Sequence, residues 1–195
     1  MTPDGNPAIP PGDPLAAPSW PTIIGTARGF DGAHLHVRVD RVRLPSGRET
    51  SREVIEHPGS VAVVPVTADG RVLFIRQYHH PIAEALLGIP AGTAEPGEDP
   101  ATTARRELLE ETGHVAARFV ELTSFFTSPG YTTERMTIFR ADGCRPTGGA
   151  PAPDELIVLE SLPLADIPAL LGPGPDRIRE AKTLVALLWL LRGPE

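Results

Sequence analysis

The chain has a single cysteine, Cys144, so no intrachain disulfide can form, and that residue reads as a small reduced apolar side chain of a cytosolic protein. Basic charge is also short. Eighteen Lys and Arg stand against 25 Asp and Glu, a formal net charge of −7, which argues against sequence-independent binding of nucleic acid. A small phosphorylated ligand stays open, because a divalent cation can bridge acidic side chains to phosphate. Long apolar runs are missing as well. The longest, Leu184 to Leu191, falls far below the ~20 helical residues that span a bilayer, and reads as a buried C-terminal helix. The opening MTPDGNPAIPPGDP has neither a basic segment nor an apolar one, so no signal peptide is expected. These absences predict a soluble, cytoplasmic protein with no membrane and no nucleic-acid partner. No internal repeat is visible.

What is present is enough for a folded core: 195 residues, 41% hydrophobic and 22% charged. Residues 1–21 carry Pro3, Pro7, Pro10, Pro11, Pro14, Pro18 and Pro21 and read as a disordered, proline-rich tail. Residues 22–57 read as a small antiparallel element of three strands, Thr22 to Arg28, His34 to Val42 and Thr50 to His57. Turn signals at Phe30-Asp31-Gly32 and Pro45-Ser46-Gly47 separate them. The middle strand alternates, with Leu35, Val37, Val39 and Arg41 on one face.

Residues 58–195 form the main domain. Val61 to Val66 is continuously apolar and predicts a central strand, which a turn at Asp69-Gly70 joins to Arg71 to Gln77 as a hairpin. A loop containing Pro81, Pro90 and Gly92 follows. The best-marked helix comes next, with Asp99 as N-cap, Pro100 at the first helical position and Gly113 just past the end. Strands are expected near Arg118 to Phe126, Thr133 to Ala141 and Glu155 to Ser161. A short helix after Pro163 and a last helix from Asp176 to Leu191 complete the chain. Strands and helices out of strict alternation predict an α+β fold.

The marked helix carries an unusual charge pattern. Glu107, Glu110 and Glu111 fall within roughly 100° of arc, and the adjoining face of Ala101, Ala104, Leu108 and Thr112 suits packing on a sheet. Like charges on one helical face repel by ~0.2–0.5 kcal/mol per pair, and near the helix C-terminus the macrodipole opposes them further. A solvated acidic face is the common explanation of such a run. A hard divalent cation such as Mg²⁺ is the alternative, since it prefers carboxylate oxygens and shares its remaining positions with substrate phosphates.

The whole stretch decides between them. Gly92, five residues, Glu98, seven residues, then Arg106-Glu107-Leu108-Leu109-Glu110-Glu111-Thr112-Gly113 resembles the signature of the Nudix hydrolases at every fixed polar and glycine position. It departs at His114, where an apolar residue is usual. The resemblance implies a mixed β-sheet sandwiched between helices, preceded here by the small N-terminal sheet. It implies that Glu107 and Glu111 are the principal metal ligands, that Glu110 assists, and that the Ala91 carbonyl completes the site. Arg106 would orient the glutamates, while Glu98 would support the loop. The cofactor implied is Mg²⁺, with Mn²⁺ as a substitute, and the chemistry is attack of water on a phosphorus.

Two flanking segments bear on substrate: Ile75-Arg76-Gln77-Tyr78, and Ser128-Pro129-Gly130-Tyr131-Thr132-Thr133-Glu134-Arg135. With the N-terminal strands they resemble the ADP-ribose pyrophosphatases of that family over roughly residues 45 to 192. This resemblance implies hydrolysis of ADP-ribose to AMP and ribose 5-phosphate by a homodimer. Glu134 on a mobile Pro-Gly loop would be the general base, with Glu110 and Arg106 also at the catalytic centre. Arg52, Glu53, Arg76 and Gly130 would contact the substrate. Another nucleotide sugar such as GDP-mannose, a dinucleoside polyphosphate, or a module that senses a nucleotide without cutting it are the rival readings.

Overall fold

The structure, a computed structural model, describes residues 20–148, 156–174 and 177–193. The proline-rich segment 1–19, and the starts expected at Glu155 and Asp176, lie outside the described residues. The chain divides into two units, one within Met1–Glu56 with Gly130–Thr132, the other within His57–Pro129 and Thr133–Glu195.

The first unit is a three-stranded antiparallel sheet of β1 (Thr22–Asp31), β2 (His36–Arg43) and β3 (Glu49–Glu56), in that spatial order. β1 runs through the expected turn at Phe30-Asp31, carried by a register shift between Arg28 and Phe30. Along β2 the buried residues are Asp40 and Val42, on the side opposite Val37, Val39 and Arg41, while Leu35 is exposed. Asp40 can be buried because Thr26 Oγ1 donates to it at 2.8 Å and Arg38 Nε at 3.0 Å. The same partners, Thr26 first, hold its carboxyl below the usual carboxylate range. Gly130–Thr132 belongs with this unit because Ile55 N donates to Tyr131 O at 2.8 Å and Ile55 bridges Thr132.

The second unit is built on a mixed sheet. Its remaining strands are β4 (Ser60–Thr67), β5 (Arg71–His79), β6 (Glu84–Gly88), β7 (Ala91–Thr93), β8 (His114–Val115), β9 (Arg118–Phe126), β10 (Arg135–Pro146) and β11 (Ile157–Pro163). The main path runs β11-β5-β4-β10-β8, with β6 on β5, β7 on β4 and β9 on β10. Only β4 and β10 pair in parallel; the other ladders are antiparallel.

β4 is apolar throughout because both its faces are covered. Ala62, Val64 and Val66 pack in one cluster with Phe74, Ile138, Ala186 and Leu187, the last two from α3 (Ala181–Arg192). Val61 and Val63 pack in the other with Ala104 and Leu108 from α1 (Pro100–Thr112), and with Phe139 and Ala141. The sheet therefore lies between α1 and α3, with the small helix α2 (Ile167–Leu170) adding Ile167 to the α3 side. α3 is buried along one face only, through Thr183, Ala186, Leu187 and Leu190. Leu188 and Leu191 are exposed, against the fully buried helix that the apolar run suggested.

The expected loop around Pro81, Pro90 and Gly92 in fact contains β6 and β7. β4 and β5 pair only at Val66 and Val72, then diverge. β7 pairs with the first half of β4 and β6 with the second half of β5, so the two short strands fill the opening. Their connection is fastened where Val63 N donates to Pro90 O at 2.8 Å. The pattern hid these strands because they are five and three residues long and interrupted by a proline.

Candidate functional site

The helix that presents the carboxylates is defined at both ends by local chemistry. Asp99 accepts from Ala101 N at 3.0 Å and Thr102 N at 3.1 Å, Pro100 opens the first turn, and Gly113 ends the helix at φ +67°. With those bounds the register follows. Ala104 and Leu108 point into the core, and one step around the helix Glu107 and Glu111 are buried too, at 8% and 3% exposure.

Two carboxylates can sit this deep because neighbours meet them. Ala91 N donates to Glu111 Oε2 at 2.8 Å. Gly92 lies against Glu107: a Cβ there would run into the Glu107 carboxylate, which would have to shift. Arg106 Nη1 donates to Glu107 Oε1 at 2.6 Å and to Glu110 Oε2 at 3.1 Å. Its other nitrogens reach Glu98 at 2.9 Å and 3.2 Å and the Thr93 carbonyl at 3.0 Å. One guanidinium thus ties the strand before the helix, the loop and two glutamates together. Glu98 is held well below the ordinary carboxylate range, to about 2, first by Arg106 and then by Glu95 N. Arg106 is driven further toward its charged form, chiefly by Glu98.

The structure brings Ala91, Arg106, Glu107, Glu110 and Glu111 together. Among the described residues, no three His, Cys, Asp or Glu side chains stand close enough to hold an ion as they are arranged. Glu110 is drawn toward Arg106 and is about half exposed. The donor set nonetheless fits a divalent cation. It offers carboxylate oxygens with no thiolate or imidazole, which suits a hard ion.

Glu134 is the residue before β10. Ser60 Oγ donates to its Oε1 at 2.7 Å and Thr127 Oγ1 to its Oε2 at 2.7 Å. Both oxygens are engaged, which differs from the mobile loop acid that the Pro-Gly context suggested. Ser60, Glu98 and Arg135 line a cavity of about 310 Å³. Arg76, on β5, pairs with Glu160 at 2.6 Å. Arg52, Glu53 and Gly130 lie in the first unit. Arg52 is exposed and donates to the Ser51 carbonyl at 2.9 Å, and Gly130 has open space around it.

Sequence reasoning missed Lys182, at the start of α3. It is mostly buried, paired with Glu180, and its ammonium is pushed down to about 8 by burial, opposed by the nearby charges of Glu111 and Glu134. The signal was available: Lys182 is the chain's only lysine, all its other basic residues being arginine.

The comparisons with known proteins bear on this geometry. The family model described as the NUDIX domain matches residues 56–184, about two thirds of the chain. The chain belongs to the Nudix family. That span takes in the carboxylate helix, Gly92, Glu134 and Lys182. The chain is 37% identical over 167 residues to the methanol dehydrogenase activator of Bacillus methanolicus, covering 86% of this chain and 90% of that one. It is 42% identical over 113 residues to the ADP-ribose pyrophosphatase of Bacillus subtilis strain 168, covering 58% of this chain and 61% of that one. The crystal structure of an ADP compounds hydrolase matches with a TM-score of 0.78 at 26% identity, over 89% of this chain and 94% of that one. Nudix hydrolases generally use divalent metals. No described helix is long and apolar enough to cross a membrane.

The Glu98 interaction gives a pH test. Its folded value of about 2 lies below its ordinary 4.5, so its contribution to stability is complete above 4.5 and is lost as pH falls toward 2. Thermal unfolding of wild type and Glu98→Gln at about pH 7 and about pH 3 reads this out. The wild type is expected to lose more of its melting temperature on acidification than the variant. Equal losses would contradict the pairing.

Proposed function

We propose that this chain hydrolyses the pyrophosphate bond of ADP-ribose, releasing AMP and ribose 5-phosphate, with Mg²⁺ as the working cation and Mn²⁺ as a substitute. The observation that carries the reading is the pair of buried carboxylates, Glu107 and Glu111, seated against Gly92 and the Ala91 amide. A structural helix has no reason to bury two like charges one turn apart, whereas a site for a cation and a phosphate does. The Bacillus subtilis relative and the ADP compounds hydrolase support the nucleoside diphosphate as substrate.

In this reading Glu107, Glu111 and the Ala91 carbonyl hold the cation, with Glu110 joining them. A cation held by these residues would supply an activated water and would offset charge on the leaving phosphate. Arg106 keeps the glutamates oriented through its hydrogen bonds to Glu107 and Glu110. Glu134, fixed by Ser60 and Thr127 with both oxygens accepting, is the carboxylate that takes the proton from the attacking water. Arg76 contacts the pyrophosphate or the terminal ribose, Arg52 and Glu53 lie on the nucleoside side, and Gly130 is a further substrate contact.

The reading includes a cytoplasmic homodimer. Ile23, Phe30 and Leu35 leave the first unit's sheet with apolar side chains more than half exposed, which a second copy would cover. Sedimentation velocity is expected to give twice the monomer mass; a monomer at micromolar concentration would remove this part.

The activity itself is tested by product release from ADP-ribose with and without Mg²⁺, beside GDP-mannose and diadenosine polyphosphates. Metal-dependent turnover is expected for ADP-ribose in preference to the others. Glu111→Gln is expected to lower kcat by at least roughly a hundredfold with the fold unchanged. Preference for another compound would retire the substrate. No turnover of any compound would favour a sensing module.

A further inference from the structure

Side chains alternate along β10, and Ile138 packs in one cluster with Ala186, Leu187 and Leu190 of α3. Arg140 and Asp142 follow at the same parity, so they stand on the α3 side of the sheet. β9 pairs them with Val120 and Arg118, which share that face. Between these strands and the last turn of α3 lies a cavity of about 440 Å³. Small-molecule sites commonly measure roughly 300–1,000 Å³. Arg118, Val120 and Arg140 wall it from the sheet, and Trp189, Leu190 and Arg192 from the helix. α1, with Glu107 and Glu111, packs on the other face.

The cavity is basic although the chain is acidic. Three of the lining residues are arginines and one, Glu121, is an acid. Glu121 pairs with Phe139, which packs on the α1 side, so its carboxylate is carried on the opposite face, where it borders the Glu98 cavity. Asp142 accepts from Arg118 Nη2 at 2.8 Å and from Arg140 Nε at 2.6 Å. Among the described residues it is the one ion-pair partner of either arginine. A single carboxylate thus holds two guanidiniums side by side and leaves one positive charge in excess. Their remaining N–H donors match the oxygens of a phosphate. At the helix end the Arg192 guanidinium lies over the Trp189 ring, 5.1 Å from its centroid, and the two form a flat stacked layer. Trp189 and Val120 both stay more than a third exposed, an apolar surface beside the charged one.

We propose that this cavity is a second binding site, on the face of the sheet away from the α1 carboxylates, for a phosphate monoester that carries a flat aromatic ring, the chemistry of a nucleoside monophosphate. The phosphate sits between Arg118 and Arg140, where its charge meets the excess that Asp142 leaves. The ring lies on the layer of Trp189 and Arg192, against Val120 and Leu190. Neither part of the ligand is held well alone, because the arginines give charge without shape and the indole gives a surface without charge. No group in the cavity can attack or activate a phosphorus, so the site binds its ligand and does not cut it. The proposal goes beyond the hydrolase reading and does not need it.

Trp20 and Trp189 are the chain's two tryptophans, so in Trp20→Phe the indole emission comes from Trp189 alone. The full-length Trp20→Phe protein is titrated with AMP in the presence of EDTA, with folding of each variant checked by circular dichroism. A saturable change in Trp189 emission is expected. Adenosine, ribose 5-phosphate and inorganic phosphate each lack one of the two contacts and are expected to bind at least roughly tenfold more weakly. Arg118→Gln and Arg140→Gln are each expected to weaken AMP by a similar factor. If Arg140→Gln does not fold, Arg118→Gln decides, since that side chain is exposed. Glu111→Gln is expected to keep the full response. No saturable response up to millimolar AMP, or one that Arg118→Gln leaves unchanged, overturns the proposal. Equal binding of inorganic phosphate marks an unselective anion patch and overturns it too. A response that disappears in Glu111→Gln puts AMP among the α1 carboxylates and does the same. Failure of ADP-ribose hydrolysis would defeat the hydrolase reading alone, because this titration needs no turnover.

Discussion

Carboxylates one turn apart on a helix repel each other, and burying them adds a desolvation cost on top. The arrangement of this protein depends on the groups that meet those two costs. Arg106 is the first of them. Its guanidinium reaches Glu98, Glu107, Glu110 and the Thr93 carbonyl at once, so the loop before the helix, the strand before the loop and the helix itself share one cation. A lysine could not make these contacts together, because the fork geometry of the guanidinium is what lets it serve several acceptors in different directions. The backbone of Ala91 is the second, and it is available only because the sheet opens at this point.

That opening follows from the strand pairing. β4 is covered on both faces and central, and it shares a single pair with β5 before the two part. β6 and β7 occupy the gap, and the connection between them carries glycine at each end. Each glycine faces a carboxylate, Glu180 on one side and Glu107 on the other. The site is thus assembled where two helices on opposite faces of the sheet meet the same short piece of backbone. α1 supplies the buried carboxylates Glu107 and Glu111, and α3 supplies Glu180 and Thr183, which meet the same segment at Gly88 and Ile89.

Much of this was legible in the amino-acid order. Asp99, Pro100 and Gly113 bound the helix because caps and glycine termini are local chemistry, and the apolar run at Val61 to Val66 announced a strand covered on both sides. The spacing from Gly92 through Glu111 pointed to the family on its own. Other features depend on partners distant in sequence. β6 and β7 are too short and too interrupted to show a period, and exist because β4 and β5 diverge. The buried side of β2 carries Asp40, which only Thr26 and Arg38 make tolerable. Glu134 was expected on a moving loop, yet Ser60 from β4 and Thr127 after β9 hold both of its oxygens. Lys182 was hidden in a helix read for its leucines.

The central claim is that Glu107 and Glu111, together with the backbone at Ala91, form the cation site of this Nudix protein. A crystal structure of the protein with Mn²⁺, with the ion located by its anomalous scattering, tests that claim most directly. The account predicts a peak within coordination distance of both carboxylates and the Ala91 carbonyl. A well-occupied peak elsewhere, with Glu107 and Glu111 still bound to Arg106 and the Ala91 amide, would contradict it.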